Sequence, residues 1–221
     1  MANLITTARF ALLFVLVALA YGAAPEWQLL DAPLLVLIIV LDGVDGYVAR
    51  KRGEVTAFGA IFDIAVDRVV EIVLWVVLAD LELVPIWVAI VFVTRGSLVD
   101  SIRYAAMSGG ETPFGMMRTG WGRFLVAGRF MRGFYGALKA TTFGWIFLIQ
   151  PLPRLDPELW AAWSAPIGLV TAVLVYAAVA LCLARGIPVL VEFVMTSDLF
   201  RVTPRRRPRG AALDVRSRPA G

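Results

Sequence analysis

The chain of 221 residues contains no histidine and a single cysteine. Without histidine, His-ligated zinc sites, imidazole general bases and His-containing catalytic triads are excluded. The lone Cys182 lies in an apolar run and excludes an internal disulfide, and there is no CxxC. Charge is scarce too: Asp, Glu, Lys and Arg make up 17 % of the residues, against about a quarter in soluble domains. Any chemistry must therefore use carboxylates, hydroxyls, lysine and arginine.

What is abundant is apolar surface, 60 % of all residues. Six apolar stretches stand out, at 5–24, 34–49, 58–79, 84–105, 134–152 and 160–184. A helix of about 20 residues covers roughly 30 Å of hydrocarbon, and backbone groups in lipid must be satisfied within the segment. The sequence thus predicts an all-α polytopic membrane protein with six transmembrane helices. Residues 1–200 form one membrane domain, and 201–221, rich in Pro and Arg, read as a disordered basic tail. The apolar piece 187–194 is expected to lie at the interface, and 108–132 is a basic, glycine-rich connection.

Basic residues set the orientation. The loops 22–31, 80–82 and 151–158 carry Arg154 alone against Glu26, Asp31, Asp80, Glu82, Asp156 and Glu158. The opposite side collects Arg50, Lys51, Arg52, Arg118, Arg123, Arg129, Arg132 and the tail. By the positive-inside rule both termini are cytoplasmic, in a cell (inner) membrane. The net charge of +4 is concentrated in the tail, where it suits anionic lipid headgroups rather than nucleic acid. Trp27, Trp121 and Trp160 read as interface anchors. A competing reading takes Arg9, the first apolar run and Tyr21 to Ala24 as a secretory signal; it would discard Asn3 and Arg9.

The informative residues are acids in apolar surroundings. Asp42 and Asp45 are three apart, and Asp63 and Asp67 four apart, so each pair shares one helical face. A turn near 51–55 would fold the two helices together and bring the faces into one pocket. An ionised carboxylate inside a membrane helix costs at least a few kcal/mol unless paired, hydrated or metal-bound. Oxygen-only ligands favour a hard ion, Mg²⁺ or Mn²⁺, and two ions flanked by carboxylates are a recurrent device at phosphorus centres. Gly43, Gly46, Ala49 and Gly59 remove side chains near these acids, for substrate approach or for close helix packing, and Arg50 suits a diphosphate. Two other readings use the same acids: salt bridges that hold helices together, and an ion path of a transporter, which would more often show two matching halves. Asp100 and Glu71 either face the cavity or pair with an arginine.

Together these residues read Asp42-x-x-Asp45-Gly46-x-x-Ala49-Arg50, eight residues, Gly59-x-x-x-Asp63-x-x-x-Asp67. This resembles the signature of the CDP-alcohol phosphatidyltransferase family in every residue type and spacing. Asn3, Thr6 and Arg9 are similar to an Asn-x-x-Thr-x-x-Arg opening in many members. The resemblance implies two divalent metal ions on Asp42, Asp45, Asp63 and Asp67, with Asp67 also taking the proton of the attacking hydroxyl. It implies a CDP pocket lined by Gly46, Ala49, Arg50 and Gly59, closed from the first helix by Asn3, Thr6 and Arg9. The implied partners are CDP-diacylglycerol, a small alcohol acceptor and membrane lipids, with a homodimer as the family arrangement.

The acceptor reading rests on Arg95, Arg103 and Lys139. Arg95…Ser101-x-Arg103 and Gly136-Ala137-Leu138-Lys139-Ala140-Thr141 partly resemble elements of the phosphatidylglycerophosphate-synthase branch, with a first lysine missing and the threonine one place late. Guanidinium forks suit phosphate oxygens, so the expected acceptor carries its own phosphate: glycerol 3-phosphate first, inositol 1-phosphate second, with serine needing fewer cations. Arg118, Arg123, Arg129 and Arg132 read instead as lipid-headgroup contacts.

Overall fold

A computed structural model of the protein describes residues 2–52, 56–108 and 123–196. Among them the regular structure is helical throughout. Six long helices carry the fold: α1 (Ala2–Gly22), α2 (Asp31–Arg52), α3 (Ala57–Asp80), α4 (Ile86–Ser108), α5 (Arg129–Ile149) and α6 (Pro157–Thr196). Single helical turns at Pro25–Gln28 and Leu152–Leu155, and a π-helical turn at Arg123–Ala127, join some of them. Arg118, Trp121, part of the 51–55 turn and the basic tail lie outside the described residues.

Local chemistry explains several boundaries. Thr56 caps α3, its hydroxyl accepting the amide of Gly59 at 3.0 Å. At the other end of α3 the amide of Leu83 reaches the carbonyl of Leu78 and that of Glu82 the carbonyl of Ala79. This is the pairing of a Schellman turn, with Glu82 taking the positive φ of 58°, and it reverses the chain sharply into α4. The carbonyl of Ala20 accepts both Gln28 and Gln150 side-chain amides, at 2.9 and 3.0 Å. That ties the end of α1 to the end of α5.

The main packing contacts form a closed ring in the order α1, α2, α5, α6, α4, α3 and back to α1. Trp75 of α3, fully buried, stacks on Phe92 of α4 with ring centroids 4.2 Å apart and tilts against Phe143 of α5 at 4.6 Å. Leu13, Leu16, Leu35, Ile38, Ile146 and Phe147 continue this core between the helices. Large apolar residues also cover much of the outside, among them Val36, Val40, Ile61, Ile64, Ile90 and Val173. Such an outer surface suits lipid rather than water.

Two helices, Asn3–Gly22 and Pro157–Met195, are long and apolar enough to cross a membrane. The other four have 21 to 24 residues, about 32–36 Å at 1.5 Å per residue. The last helix differs from its sequence reading. Residues 187–194, expected as a separate interfacial piece, continue α6 to Thr196 with Pro166 and Pro188 inside it. Each proline removes one backbone donor without ending the helix, which packs along its length against α4 and α5.

Candidate functional site

α1 packs against both α2 and α3, so the acids of the two helices meet across its first turns. Carboxylate oxygens of Asp42, Asp63 and Asp67 lie within 4.8 Å of one another. Asp45 sits deeper, 3 % exposed, and accepts the Thr6 hydroxyl at 3.0 Å. The structure therefore brings the four predicted aspartates onto one side of the bundle. Arg9 is the cation among them: 1 % exposed, its guanidinium pairs with Asp42 and Asp67 and lies 3.4 Å from Asp45 and 3.5 Å from Asp63.

One guanidinium against four carboxylates leaves a strong negative excess. Asp45 Oδ1 is buried with no hydrogen-bond partner, and Asp63 Oδ1 meets Arg9 at 3.5 Å without a hydrogen bond; such under-satisfied oxygens are costly in a desolvated site. An all-oxygen donor set with unsatisfied anionic atoms fits a hard divalent cation. Asp42 and Asp67 keep 44 % and 53 % of their side-chain surface exposed, so the cluster is open to solutes rather than sealed.

The residues expected around a CDP group have mixed positions. A Cβ at Gly59 would stand 2.8 Å from Asn3 Oδ1 and 3.0 Å from Thr56 Oγ1, so that glycine makes room for the Asn3 side chain at the start of α1. Gly46 lies one residue beyond Asp45 and is partly exposed. Gly43 has open space around it, which suits approach by a solute better than helix packing. Ala49 and Arg50 stand on the last turn of α2; their side chains lie outside the described residues.

A second cluster of ion pairs joins α3 to α4 and α5. Lys139 of α5 pairs with Glu71 of α3 at 2.7 Å, and Glu71 also holds Arg68 at 2.8 Å. Arg68 reaches Asp100 of α4 at 2.6 Å. Both acids left open by the sequence thus pair with Arg68. Asp63, Asp67 and Glu71 form one i, i+4, i+8 stripe on α3, so the partner of Lys139 sits one turn beyond Asp67. Arg95 and Arg103 of α4 neighbour Arg185 of α6.

Two residues here escaped the sequence reading. Arg185 is 5 % exposed and donates to the backbone carbonyls of Leu125 and Val126 in the π-helical turn, the latter at 3.3 Å. A cation inside an otherwise apolar helix was the available signal. Tyr135 of α5, 7 % exposed, had no such signal, because its position follows from packing alone.

Similarity to known proteins bears on this geometry. A profile of the CDP-alcohol phosphatidyltransferase family matches residues 1–197. The chain is 33 % identical over 121 residues to a CDP-diacylglycerol--glycerol-3-phosphate 3-phosphatidyltransferase of Bacillus subtilis (strain 168), covering 49 % of this chain and 63 % of the relative. A protein of the same name from Rickettsia bellii (strain RML369-C) is 32 % identical over 104 residues, covering 46 % and 56 %. Another from Rickettsia typhi (strain ATCC VR-144 / Wilmington) is 39 % identical over 66 residues, covering 30 % and 37 %. The matched stretch therefore spans less than two thirds of each of these relatives.

Proposed function

The chain belongs to the CDP-alcohol phosphatidyltransferase family, and from that premise we propose that it transfers a phosphatidyl group from CDP-diacylglycerol to glycerol 3-phosphate, releasing CMP. The observation that carries the reading is the convergence of Asp42, Asp63 and Asp67 within 4.8 Å, with Asp45 behind them, in the signature spacing of the family. The names of the relatives favour glycerol 3-phosphate over inositol 1-phosphate. The cluster of Arg95, Arg103 and Lys139 supports an acceptor that carries a phosphate, which serine does not.

In this reading Asp42, Asp45, Asp63 and Asp67 hold two divalent ions, Mg²⁺ or Mn²⁺. Such ions, when bound, offset the charge of the diphosphate and of the oxygens entering and leaving phosphorus. Asp67, more than half exposed, receives the proton of the acceptor hydroxyl as its oxygen bonds to the β-phosphorus; the bond from that phosphorus to the bridging oxygen breaks and CMP leaves. Gly46, Ala49, Arg50 and Gly59 border the CDP group, with Asn3 and Thr6 at its α1 side. Arg95, Arg103 and Lys139 orient the acceptor phosphate.

The six long helices are six membrane spans in this reading, with both termini and the active site at the cytoplasmic face of the cell membrane. A lipid donor then enters sideways from the bilayer and a charged acceptor from water. Residues 201–221 contact anionic headgroups, and a homodimer is the expected assembly.

The arginine among the acids also suits a purely structural ion-pair cluster, and the two readings separate by experiment. Purified protein is given CDP-diacylglycerol, Mg²⁺ or Mn²⁺ and a panel of glycerol 3-phosphate, inositol 1-phosphate and serine, and the lipid product is identified. CMP release that needs both metal and glycerol 3-phosphate is the expected result. Absence of CMP release with every acceptor would remove the enzymatic reading, and solute movement without these ingredients would favour a transporter.

A further inference from the structure

Three cations from three helices lie against one buried phenol ring. Lys139 Nζ is 4.5 Å from the Tyr135 ring centroid, the Arg185 guanidinium carbon 5.4 Å and that of Arg95 6.0 Å. Like charges gathered this closely repel, and the face of an aromatic ring is one of the few apolar surfaces that attracts a cation. Lys139 has Glu71 as its ion-pair partner. Arg95 and Arg185 form no ion pair among the described residues, and the Nε of each is buried without a hydrogen-bond partner. The open Nε donors of Arg95 and Arg185, beside the ammonium of Lys139, give this corner of the bundle the chemistry to receive an anion.

The neighbouring backbone is shaped to keep them there. A Cβ at Gly186 would stand 2.7 Å from Arg95 Cγ, so only glycine lets the Arg95 stem pass α6 toward the ring. Arg185 is fixed by its hydrogen bonds to the carbonyls of Leu125 and Val126. Tyr135 itself is buried between these side chains.

We infer that Tyr135 is the positioning residue of an anion site, its ring holding Arg95, Arg185 and Lys139 at the orientation that receives the phosphate monoester of the acceptor. Arg185 then joins Arg95 as a phosphate-binding side chain, and Gly186 keeps the route of Arg95 open. The inference rests on the acceptor reading above and deepens it: the ring sets acceptor affinity without touching the CDP donor.

The test uses the full-length protein in detergent with CDP-diacylglycerol and Mn²⁺, measuring CMP release against glycerol 3-phosphate and against donor concentration. Tyr135→Leu is expected to raise the acceptor KM about tenfold or more, with the donor KM held within about twofold, because the ring face is lost. Tyr135→Phe, which keeps the ring, restores the wild-type acceptor KM. Gly186→Ala raises the same KM by displacing Arg95, and it decides the matter should Tyr135→Leu fail to fold. An unchanged acceptor KM in Tyr135→Leu or, failing that, in Gly186→Ala overturns the inference. So does a Tyr135→Leu defect that falls equally on both substrates and is not rescued by phenylalanine. If the wild-type protein ignores glycerol 3-phosphate but uses inositol 1-phosphate, the first-choice acceptor fails, and the same variants and criteria are applied with inositol 1-phosphate. Use of serine alone overturns both.

Discussion

The Thr6 hydroxyl donates to Asp45 Oδ2 at 3.0 Å, linking the second turn of α1 to the most buried of the four aspartates. The bond fixes which Asp45 oxygen is occupied and leaves the buried Oδ1 without a hydrogen-bond partner. Partners of this kind typically alter metal affinity by about 10- to 100-fold when removed. Thr6→Val should therefore weaken Mn²⁺ binding by about tenfold, and Thr6→Ser should keep it. Isothermal titration of Mn²⁺ into the purified protein reads this directly; equal affinities in all three would place Thr6 outside the metal site.

Arg9 predicts a trade between arginine and metal. It is the cation within reach of all four carboxylates, and losing one partner of a buried pair costs about 3–5 kcal/mol. Asp42 and Asp67 are roughly half exposed, so a smaller loss of about 1–3 kcal/mol is expected for Arg9→Gln in metal-free buffer. Added Mn²⁺ should then stabilise the variant more than the wild type, since repulsion among the acids is greater. Thermal unfolding in detergent with and without Mn²⁺ gives both quantities; an equal metal-induced shift would contradict the shared site.

Each of Asp42→Asn, Asp45→Asn, Asp63→Asn and Asp67→Asn should lower turnover by about 100-fold or more, in line with the loss of a key charge at a reacting centre. Excess EDTA should do the same to the wild type, reversibly. Size-exclusion profiles establish that the variants remain folded. Near-normal CMP release from any two of them would break the metal assignment.

Gly59→Ala tests the contact between α1 and α3. The new Cβ would stand 2.8 Å from Asn3 Oδ1 and 3.0 Å from the capping hydroxyl of Thr56, so Asn3 must move and the cap loosens. A destabilisation of about 1 kcal/mol is expected, the usual size of a lost N-cap. A raised KM for CDP-diacylglycerol should accompany it if Asn3 lines the donor pocket. A melting shift without any change in that KM would assign Gly59 and Asn3 to packing alone.

Much of the acid site was legible in the chain because helix periodicity is a local rule. Spacings of three and four put Asp42 with Asp45, and Asp63 with Asp67, on common faces before any tertiary contact is known. The same rule sets Arg68 three residues from Glu71, one of the two pairings left open for that acid, whereas its second partner Lys139 lies on another helix and could not be read. The resemblance put Arg9 at the edge of the CDP pocket; that its guanidinium lies among the four acids depends on α1 packing against both α2 and α3.

Sequence by itself determined the helical class, the excluded chemistries and the grouping of the aspartates, since composition and residue spacing act within one segment. The ring order of the helices, the fusion of residues 187–194 into α6, and the meeting of Arg95, Lys139 and Arg185 over Tyr135 were decided only by tertiary structure. Arg95 and Arg185 stand 90 positions apart in the chain, and the Gln150 side chain reaches the Ala20 carbonyl across 130. No local pattern encodes which of several apolar faces will pack together, because apolar packing is largely non-directional and its outcome depends on the fit of all six helices at once.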